Sequence, residues 1–367
     1  MAVLPELSVI IPVLNEAERI ETLLRGVARQ EQVTIEVILC DGGSSDETLR
    51  IAAQVSTWYP CELLILVERQ GRARQMNAGA AVARGEWLLF LHADSEFPDL
   101  TALRKGISAL REAGDSNGHG RTAGRFALRF DPDEGGDRFG YSFCEEKARL
   151  NRPGCILGDQ GFLLSRDFFA VVGPFDETLP VAEDVDFAER VRVCGNFLLF
   201  TPEIFTSPRR FATEGYHARQ TLNALLMGLF FADQPRFLDA LPDIYRTQDQ
   251  SRPLNLCPFF RKIDEMIAML PLRKRLVFWY RIGSYVRSNA WQLAYALDVR
   301  RNYRQGMKAG DGEAPLLARY DRHLDRITDH LPGRLLTGVL VRVWFSLACR
   351  WLRFRDGGTK NVKRAGS

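Results

Sequence analysis

Acidic side chains follow three apolar segments of the chain, at the points where predicted strands end. The segments that carry them are Pro12-Val-Leu-Asn-Glu16, Asp41-Gly-Gly-Ser-Ser-Asp46 and His92-Ala-Asp94. Asn15, Ser44 and Asp46 are also residue types that cap helices, and this simpler role is open for each of them. Asp41 and Asp94 directly end apolar strands, where a charge is costly unless it has a ligand or a partner. These two carboxylates are therefore the first candidates for chemistry.

The elements that must position these residues are short strands alternating with helices. The apolar runs are Leu7–Ile11, Ile35–Leu39, Leu63–Val67 and Trp87–Leu91, which are typical of strands buried on both faces of a parallel sheet. Helical patterns lie between them, and the order β-α-β-α-β-α-β predicts a Rossmann-like, open and mostly parallel sheet flanked by helices. In such a sheet ligands bind at the carboxyl ends of the strands. The three acidic segments should therefore converge on one crevice.

Helix boundaries can be predicted from capping residues. Asn15 and Glu18 have the spacing of a capping box for the first helix, and Gly85 stands where a helix from about residue 72 would end. Another helix is predicted over Asp184–Cys194, with Gly195 as its stop.

The phosphate-binding signatures G-x-G-x-x-G and G-x-x-x-x-G-K-[ST] are absent from the sequence. This argues against a Rossmann dehydrogenase and a P-loop enzyme. Carboxylates at strand ends favour a nucleotide whose base and ribose are held by carboxylates and whose diphosphate is held by a metal ion.

Charge divides the 367 residues into two parts. Residues 246–367 contain 24 Lys and Arg against 10 Asp and Glu, a net charge of +14, whereas residues 1–245 have a net charge of −11. The strand-helix alternation also ends near Pro242, so we predict a catalytic domain over 1–242 and a basic, mainly helical accessory region over 243–367. Seven scattered cysteines without a C-x-x-C pair exclude a disulfide framework and suit a reducing cytoplasm.

The segment Leu335–Phe354 is long enough to cross a bilayer but contains Arg342, Arg350 and Arg353. Helical spacing gathers these arginines on one stripe, which is typical of a helix lying on a membrane surface. An ordinary helical bundle with aromatic core residues is the alternative. Nucleic acid is not expected as a partner, because no recognition motif accompanies the basic residues.

The ordered segments of the first 240 residues resemble the successive motifs of family 2 glycosyltransferases of the GT-A fold. They are Ser8-Val-Ile-Ile-Pro-Val-Leu-Asn-Glu16, Asp41-Gly-Gly-Ser-Ser-Asp-Glu-Thr48, Gly71-Arg72 with Asn77-Ala-Gly79, Phe90-Leu-His-Ala-Asp94, Gly158-Asp-Gln-Gly161 and Glu183-Asp184. The chain is most similar to a bacterial subgroup with Leu-His-Ala-Asp and Gly-Asp-Gln motifs. The resemblance implies a transferase of the hexosyltransferase type, which uses a nucleoside-diphosphate sugar, by default a UDP-sugar.

The resemblance also implies roles for individual residues. The donor nucleotide sugar would be bound by Pro12, Asn15, Glu16, Asp41, Gly71, Arg72, Asn77, His92, Arg209 and Arg210. Asp94 falls at the family's metal-binding position, with His92 in place of its usual first acid, and implies Mn²⁺ or Mg²⁺ on the diphosphate. His217 is a candidate for a further metal ligand.

The acceptor side is implied by two other motifs. Asp159 and Gln160 would face the acceptor, and Glu183-Asp184 would be catalytic, with Asp184 as the general base of an inverting transfer. The sequence specifies no acceptor, although a lipid-linked one would suit a peripheral protein on the cytoplasmic face of the cell membrane.

Two other functions are open at this stage. A sugar-phosphate nucleotidyltransferase also combines such a sheet with metal-binding acids, but it normally has a Gly-rich basic loop after the first strand, and Pro12–Glu16 contains neither feature. A non-catalytic membrane scaffold that only binds sugar nucleotides is the second alternative, and the presence of Asp41, Asp94 and Asp184 argues against it.

Overall fold

The computed structural model describes residues 4–117, 120–131, 136–248 and 252–365. Its residues divide into two compact units. The first comprises Met1–Glu134 and Cys144–Pro208, and the second comprises Gly135–Phe143 and Arg209–Ser367.

The first unit is an α/β structure whose early elements alternate strictly. They are β1 (Leu7–Val13), α1 (Ile20–Ala28), β2 (Ile35–Asp41), α2 (Thr48–Ser56), β3 (Glu62–Val67), α3 (Arg72–Val82) and β4 (Trp87–Phe90). The later elements are β5 (Ser95–Glu96), α4 (Ala102–Asn117), β6 (Thr122–Phe130), α5 (Arg138–Ala148), a short 3-10 helix (Gly158–Gln160), β7 (Phe162–Ser165), α6 (Arg166–Val172), α7 (Glu183–Cys194) and β8 (Asn196–Thr206). The helix α5 begins in the second unit and ends in the first.

One eight-stranded mixed sheet runs through this unit in the order β3-β2-β1-β4-β7-β6-β8-β5. The pairs β3-β2, β2-β1, β1-β4 and β6-β8 are parallel, whereas β7 is antiparallel to both neighbours and β5 is antiparallel to β8. The predicted mostly parallel sheet with flanking helices and a helical C-terminal region is therefore confirmed. The strands β2, β1 and β4 lie side by side, so their carboxyl ends share one edge of the sheet, as the sequence predicts.

Three details of the sequence prediction are wrong. β3 is the edge strand of the sheet, and Leu64 and Val67 are exposed rather than buried. Asn15 and Glu18 form no capping box, because α1 begins only at Ile20 and has no side-chain cap. Gly85 is not the stop of α3.

The helix α3 ends at Val82, and Ala83 is already extended. A Cβ on Gly85 would lie 2.6 Å from the backbone nitrogen of Ser8. The glycine therefore permits the close approach of the chain to β1 and has no capping role.

Phenylalanine rings form the core on the side of the sheet covered by α6 and α7. Phe175 stacks on Phe187 with 4.2 Å between ring centroids, and Phe90 meets Phe175 edge-on at 4.9 Å. These rings are buried. They fix α7, whose first turn carries Glu183 and Asp184, against β4.

The second unit contains helices throughout its described residues. They are α8 (Arg209–Glu214), α9 (Tyr216–Phe231), α10 (Pro235–Arg246), α11 (Cys257–Met269), α12 (Leu272–Ser288), α13 (Trp291–Arg304), α14 (Pro315–Arg319), a single π turn (Tyr320–Leu324), α15 (Asp325–Thr328) and α16 (Leu331–Ala365). Pro271 directly precedes α12, and Pro315 is the first residue of α14. Pro332 lies in the first turn of α16, where a missing N–H costs nothing.

Candidate active site

The carboxyl ends of β1 and β2 meet in register, with Pro12 paired to Cys40 and Val13 to Asp41. The loops that follow are tied together by hydrogen bonds. The backbone nitrogen of Asn15 donates to Ser44 Oγ at 2.9 Å, and the nitrogen of Ser45 donates back to Asn15 Oδ1 at 2.8 Å. These contacts join the two loops into one rigid edge. The position of Glu16 is fixed as well, since its nitrogen donates to Thr48 Oγ1 at 2.8 Å.

Asp41 has no exposed surface, and its carboxylate accepts hydrogen bonds from its own loop. Its Oδ2 accepts the backbone N–H groups of Gly43 at 2.8 Å and Ser44 at 2.9 Å, and its Oδ1 accepts the Ser44 hydroxyl. Asp41 therefore shapes the loop after β2.

Gln75 is a residue that the sequence analysis missed. It is buried on α3, and its amide nitrogen donates to the carbonyl of Val13 at 2.9 Å and to that of Cys40 at 2.6 Å. One side chain thus holds the ends of β1 and β2 together beneath the crevice. The sequence does contain a signal for Gln75, because a polar residue lies on the inward face of a helix three positions after Arg72.

Arg72 opens α3 directly after Gly71, and its guanidinium lies 3.0 Å from Glu183 Oε1. The Arg72 side chain is 41% exposed, whereas that of Glu183 is only 6% exposed. Glu183 raises the pKa of Arg72, and Asp184, Asp94 and Asp159 raise it further against the opposing effect of burial. Arg72 therefore contacts Glu183 and interacts electrostatically with three further carboxylates.

Asp94 stands between two strands that anchor it from both sides. Before it, β4 pairs with β1, and after it, β5 pairs with β8. A cleft of about 330 Å³ opens beside it, lined by Glu18 and Arg19, which precede α1, by Thr22 of α1 and by the segment 94–97. Asp94 thus lies on an accessible wall at the strand ends.

The loop Gly158–Gln160 lies against the start of α7. The backbone nitrogen of Gly158 donates to Asp184 Oδ2 at 2.8 Å, and the nitrogen of Val185 donates to Asp184 Oδ1 at 2.9 Å. A Cβ on Gly158 would lie only 2.7 Å from His92 Nε2 and 3.2 Å from Asp184 Cβ. A side chain at position 158 would therefore meet both His92 and Asp184.

Asp159 carries a buried oxygen, Oδ1, which has no hydrogen-bond partner. Burial raises the pKa of Asp159 to about 7, and the charges of Asp184 and Asp94 add to the effect, while Arg72 opposes it. Burial likewise raises the pKa of Glu183, against the pull of Arg72. The carboxylates around this site therefore carry more negative charge than Arg72 neutralises.

Gln160 lies in the protein interior with no exposed surface. Its Oε1 accepts from Arg125 Nη1 at 2.8 Å, and its Nε2 donates to the carbonyl of Cys155 at 2.9 Å. The side chain supports the loop that presents Asp159 through these two hydrogen bonds. Arg125, which the sequence analysis also missed, is 1% exposed and donates in addition to backbone carbonyls at the end of α5, including that of Leu150 just beyond it.

The residue before the Glu183-Asp184 pair adopts an unusual backbone conformation. Ala182 has a left-handed φ of 67°, which is strained for a residue with a Cβ. The turn before α7 has this conformation, and the first residues of α7 follow it directly into the site.

Asn77 does not join the carboxylates. Its side chain donates to the carbonyl of Phe175 at 2.9 Å and accepts the backbone N–H of the same residue at 2.9 Å, so it pins the loop before α7. Arg209, Arg210 and His217 belong to the second unit, where the arginines begin α8 and His217 is exposed on α9.

The donor set suits a hard divalent cation. Asp94, Asp159, Glu183 and Asp184 offer oxygen ligands, and the buried Asp159 oxygen lacks a partner. Within the described parts of the chain, no three His, Cys, Asp or Glu side chains are already arranged as a metal site.

The site therefore consists of carboxylates and Arg72 on a mixed α/β sheet. The sequence model of Glycosyl transferase family 2 matches residues 8–161. The chain is 31% identical over 210 residues to glycosyltransferase AglE of Haloferax volcanii, a match that spans 55% of this chain and 66% of that protein. It is 32% identical over 198 residues to a PGL/p-HBAD biosynthesis glycosyltransferase of Mycobacterium bovis, covering 54% of this chain and 73% of that one. The chain belongs to glycosyltransferase family 2.

Among solved structures, the chain resembles a mannosyltransferase of Pyrobaculum calidifontis, solved with GDP-Man and Mn²⁺. That likeness has a TM-score of 0.47 and 20% identity, and it covers 94% of this chain and 88% of the mannosyltransferase.

Proposed function

We propose that the protein transfers a sugar from a nucleoside-diphosphate sugar to an acceptor hydroxyl, with inversion at the anomeric carbon. The observation that carries this proposal is the contact of Arg72 with Glu183 at the start of α7, where Asp184 is bonded to the loop that precedes Asp159. The charges of Asp94, Asp159 and Asp184 act on the same guanidinium. The Leu-His-Ala-Asp and Gly-Asp-Gln motifs of the sequence support the proposed bacterial subgroup that carries them, and a UDP-sugar is the first donor to test.

The donor would lie across the carboxyl ends of β1, β2 and β4. Pro12, Asn15, Glu16 and Asp41 would surround the base and ribose, while Gly71, Arg72 and His92 would lie near the diphosphate. Arg209 and Arg210 are proposed to cover the diphosphate, since paired guanidinium groups can bind phosphate oxygens bidentately. Asn77 would act only by holding the loop before α7 in place.

Asp94 would hold the divalent cation, and His217 is a further proposed ligand. Mn²⁺ or Mg²⁺ bound there would neutralise the charge that develops on the leaving diphosphate. Arg72 contributes positive charge from the protein itself. The pairing of Arg72 with Glu183 orients the guanidinium toward the same site.

Asp184 is the proposed general base. The backbone N–H groups of Gly158 and Val185 orient its two oxygens. As the acceptor oxygen bonds to the anomeric carbon, its proton passes to Asp184, and the bond from that carbon to the diphosphate oxygen breaks on the opposite face. Glu183 supports this step through Arg72, and Asp159 faces the acceptor side on a loop that Gln160 braces.

The proposed setting is the cytoplasmic face of the cell membrane, with the protein bound peripherally and the acceptor linked to lipid. The net charge of +14 over residues 246–367 supports an anionic surface as a partner. The division into a catalytic domain over 1–242 and an accessory region over 243–367 is part of the same proposal.

A donor panel tests the proposal. The full chain is mixed with UDP-, GDP-, TDP- and CDP-sugars with Mn²⁺, and thermal stabilisation and release of the nucleoside diphosphate are measured. We expect one nucleotide class to stabilise the protein and to be hydrolysed slowly in the absence of an acceptor. Stabilisation without any release, even with added lipid extracts, would favour a binding scaffold. Release of pyrophosphate from a nucleoside triphosphate and a sugar phosphate would identify a nucleotidyltransferase.

A further inference from the structure

The helix α16 packs in the second unit through one narrow stripe. Gly338, Phe345, Cys349 and Leu352 are buried and recur at helical spacing. Phe345 stacks on Phe260 of α11 at 5.2 Å and contacts Trp279 of α12 at 5.7 Å. This packed stripe fixes which side of α16 faces its neighbours.

A glycine crossing locks the rotation of α16 against α12. A Cβ on Gly283 would lie 2.4 Å from the backbone nitrogen of Gly338, and a Cβ on Gly338 would lie 2.6 Å from the carbonyl oxygen of Trp279. The two backbones are therefore in direct contact. α16 cannot turn its opposite side inward without breaking this contact.

The side opposite the packed stripe is apolar and exposed. Its residues recur at intervals of three, four or seven positions over about five turns, and each residue is between 58% and 84% exposed; they are Leu336, Leu340, Leu347, Trp351 and Phe354. We call this set the outer face of α16. Val343 and Trp344 extend it and are also exposed. Exposed apolar patches of this extent mark interaction sites.

Arginines flank the outer face. Arg342 and Arg350 are exposed on one side of it, and Arg353 forms an ion pair with Asp264 of α11 at 2.6 Å. Residues 331–355 contain no Asp or Glu. A second copy of this helix would bring arginines together without an acidic partner, whereas an anionic lipid surface complements them.

We infer that the outer face of α16 inserts into the headgroup and acyl boundary of an anionic bilayer, with the helix lying parallel to the membrane plane. By length and composition, residues Leu331–Arg355 could also cross a membrane, with a mean hydropathy of 1.4 over the most apolar window. The packed stripe, the glycine crossing and the Arg353–Asp264 ion pair instead hold α16 along the second unit. One side of the helix is committed to protein, and the outer face is available to lipid.

The inference rests on the proposed membrane setting of the protein. Vesicle binding tests it in the absence of a sugar donor and an acceptor. The full chain is centrifuged with vesicles of phosphatidylcholine and of phosphatidylcholine mixed with phosphatidylglycerol. We expect the wild type to bind the mixed vesicles. Leu336→Gln/Leu340→Gln should bind them at least about tenfold more weakly. The matched control is Leu293→Gln/Leu297→Gln on α13, which has the same residue types, spacing and exposure and should bind like the wild type.

A second pair of variants tests the charged flank. Arg342→Gln/Arg350→Gln should weaken binding to the mixed vesicles by about fivefold for each charge removed. Arg300→Gln/Arg301→Gln, exposed on α13, should weaken it less. Quenching of Trp344 and Trp351 by lipids brominated at different depths should be strongest for shallow positions.

Several results would overturn the inference. Quenching strongest at the bilayer centre would show a spanning helix. A wild-type dimer that becomes a monomer in Leu336→Gln/Leu340→Gln, with no vesicle binding by either, would show that a second copy covers the outer face. Equal loss of binding in the α13 control would show that the effect is not specific to this face. Release of nucleoside diphosphate in detergent does not depend on membrane binding. It therefore tests the proposed function separately.

Discussion

The guanidinium of Arg72 lies 3.0 Å from a carboxylate oxygen of Glu183, which joins the first turn of α3 to the first turn of α7. These turns are 111 positions apart in the chain, and the pair connects the strand-end loops with the loop that carries Asp159. The contact makes the cation of the site dependent on the position of α7. The helix that carries both Glu183 and Asp184 is therefore linked directly to Arg72.

This pair should show energetic coupling. Arg72→Gln leaves Glu183 buried without its cation, and Glu183→Gln leaves Arg72 among three remaining carboxylates. Denaturant unfolding of both single variants and the double variant should give a coupling free energy of about 1–2 kcal/mol, a moderate value because Arg72 is 41% exposed. Additive effects on the free energy of unfolding would show that the two side chains do not interact.

Asp184→Asn tests the general base, because the amide keeps the size of the side chain but cannot accept the proton. Transfer should fall by about 10²–10⁴-fold, while the dissociation constant for the donor should change little. Steady-state transfer rates and donor titration provide the two measurements. Asp186→Asn, two positions along α7, is the matched control, and a parallel loss in both variants would remove the special role of Asp184.

The raised pKa of Asp159 predicts a pH-dependent stability. Because its pKa in the folded chain is about 7, above the ordinary value of 3.8, the folded state keeps this proton to higher pH than the unfolded state does. The stabilising contribution is full below the unfolded value and is lost as the pH rises through about 7.

In EDTA, the melting temperature of the wild type should fall between about pH 5 and pH 8 more steeply than that of Asp159→Asn, which has no such proton. Melting curves at closely spaced pH values measure this difference. Parallel curves for the two proteins would show that Asp159 titrates at its ordinary value.

Arg125→Met should destabilise the protein by about 2–4 kcal/mol, because it leaves Gln160 Oε1 and several backbone carbonyls without their donor. Burial lowers the pKa of Arg125 to about 10, which shows how far this cation lies from water. The control is Arg50→Met on the exposed side of α2, which should change the free energy of unfolding by less than about 0.5 kcal/mol. Similar losses in both variants would contradict the role assigned to Arg125.

Much of the fold follows from local sequence patterns. The runs Leu7–Ile11 and Trp87–Leu91 predict β1 and β4 to within two residues, because continuous apolar runs of that length suit buried strands. The exposure of β3 could not be predicted, since its position at the sheet edge depends on strand order. β5 and β8 were missed because their polar residues, such as Glu203, interrupt the apolar pattern.

The site follows from sequence only where strand ends define it. Asp41 and Asp94 were predicted to share an edge because parallel neighbouring strands end together. Asp159 and Asp184 came from family resemblance, since no local pattern shows that residues so far apart in the chain meet. Gln75 and Arg125 were missed because their hydrogen-bond partners are backbone groups and an amide that only the tertiary structure brings near.

The most direct test of the proposed chemistry is release of nucleoside diphosphate from the preferred donor, measured with Mn²⁺ and with EDTA for the wild type and Asp94→Asn. Asp99→Asn, on the helix-capping segment after β5, is the matched control. We predict metal-dependent release by the wild type and the control, and loss of release in Asp94→Asn, which should retain the wild-type melting profile. Release by Asp94→Asn at the wild-type rate in EDTA would contradict the assignment of Asp94 and the metal-assisted transfer built on it.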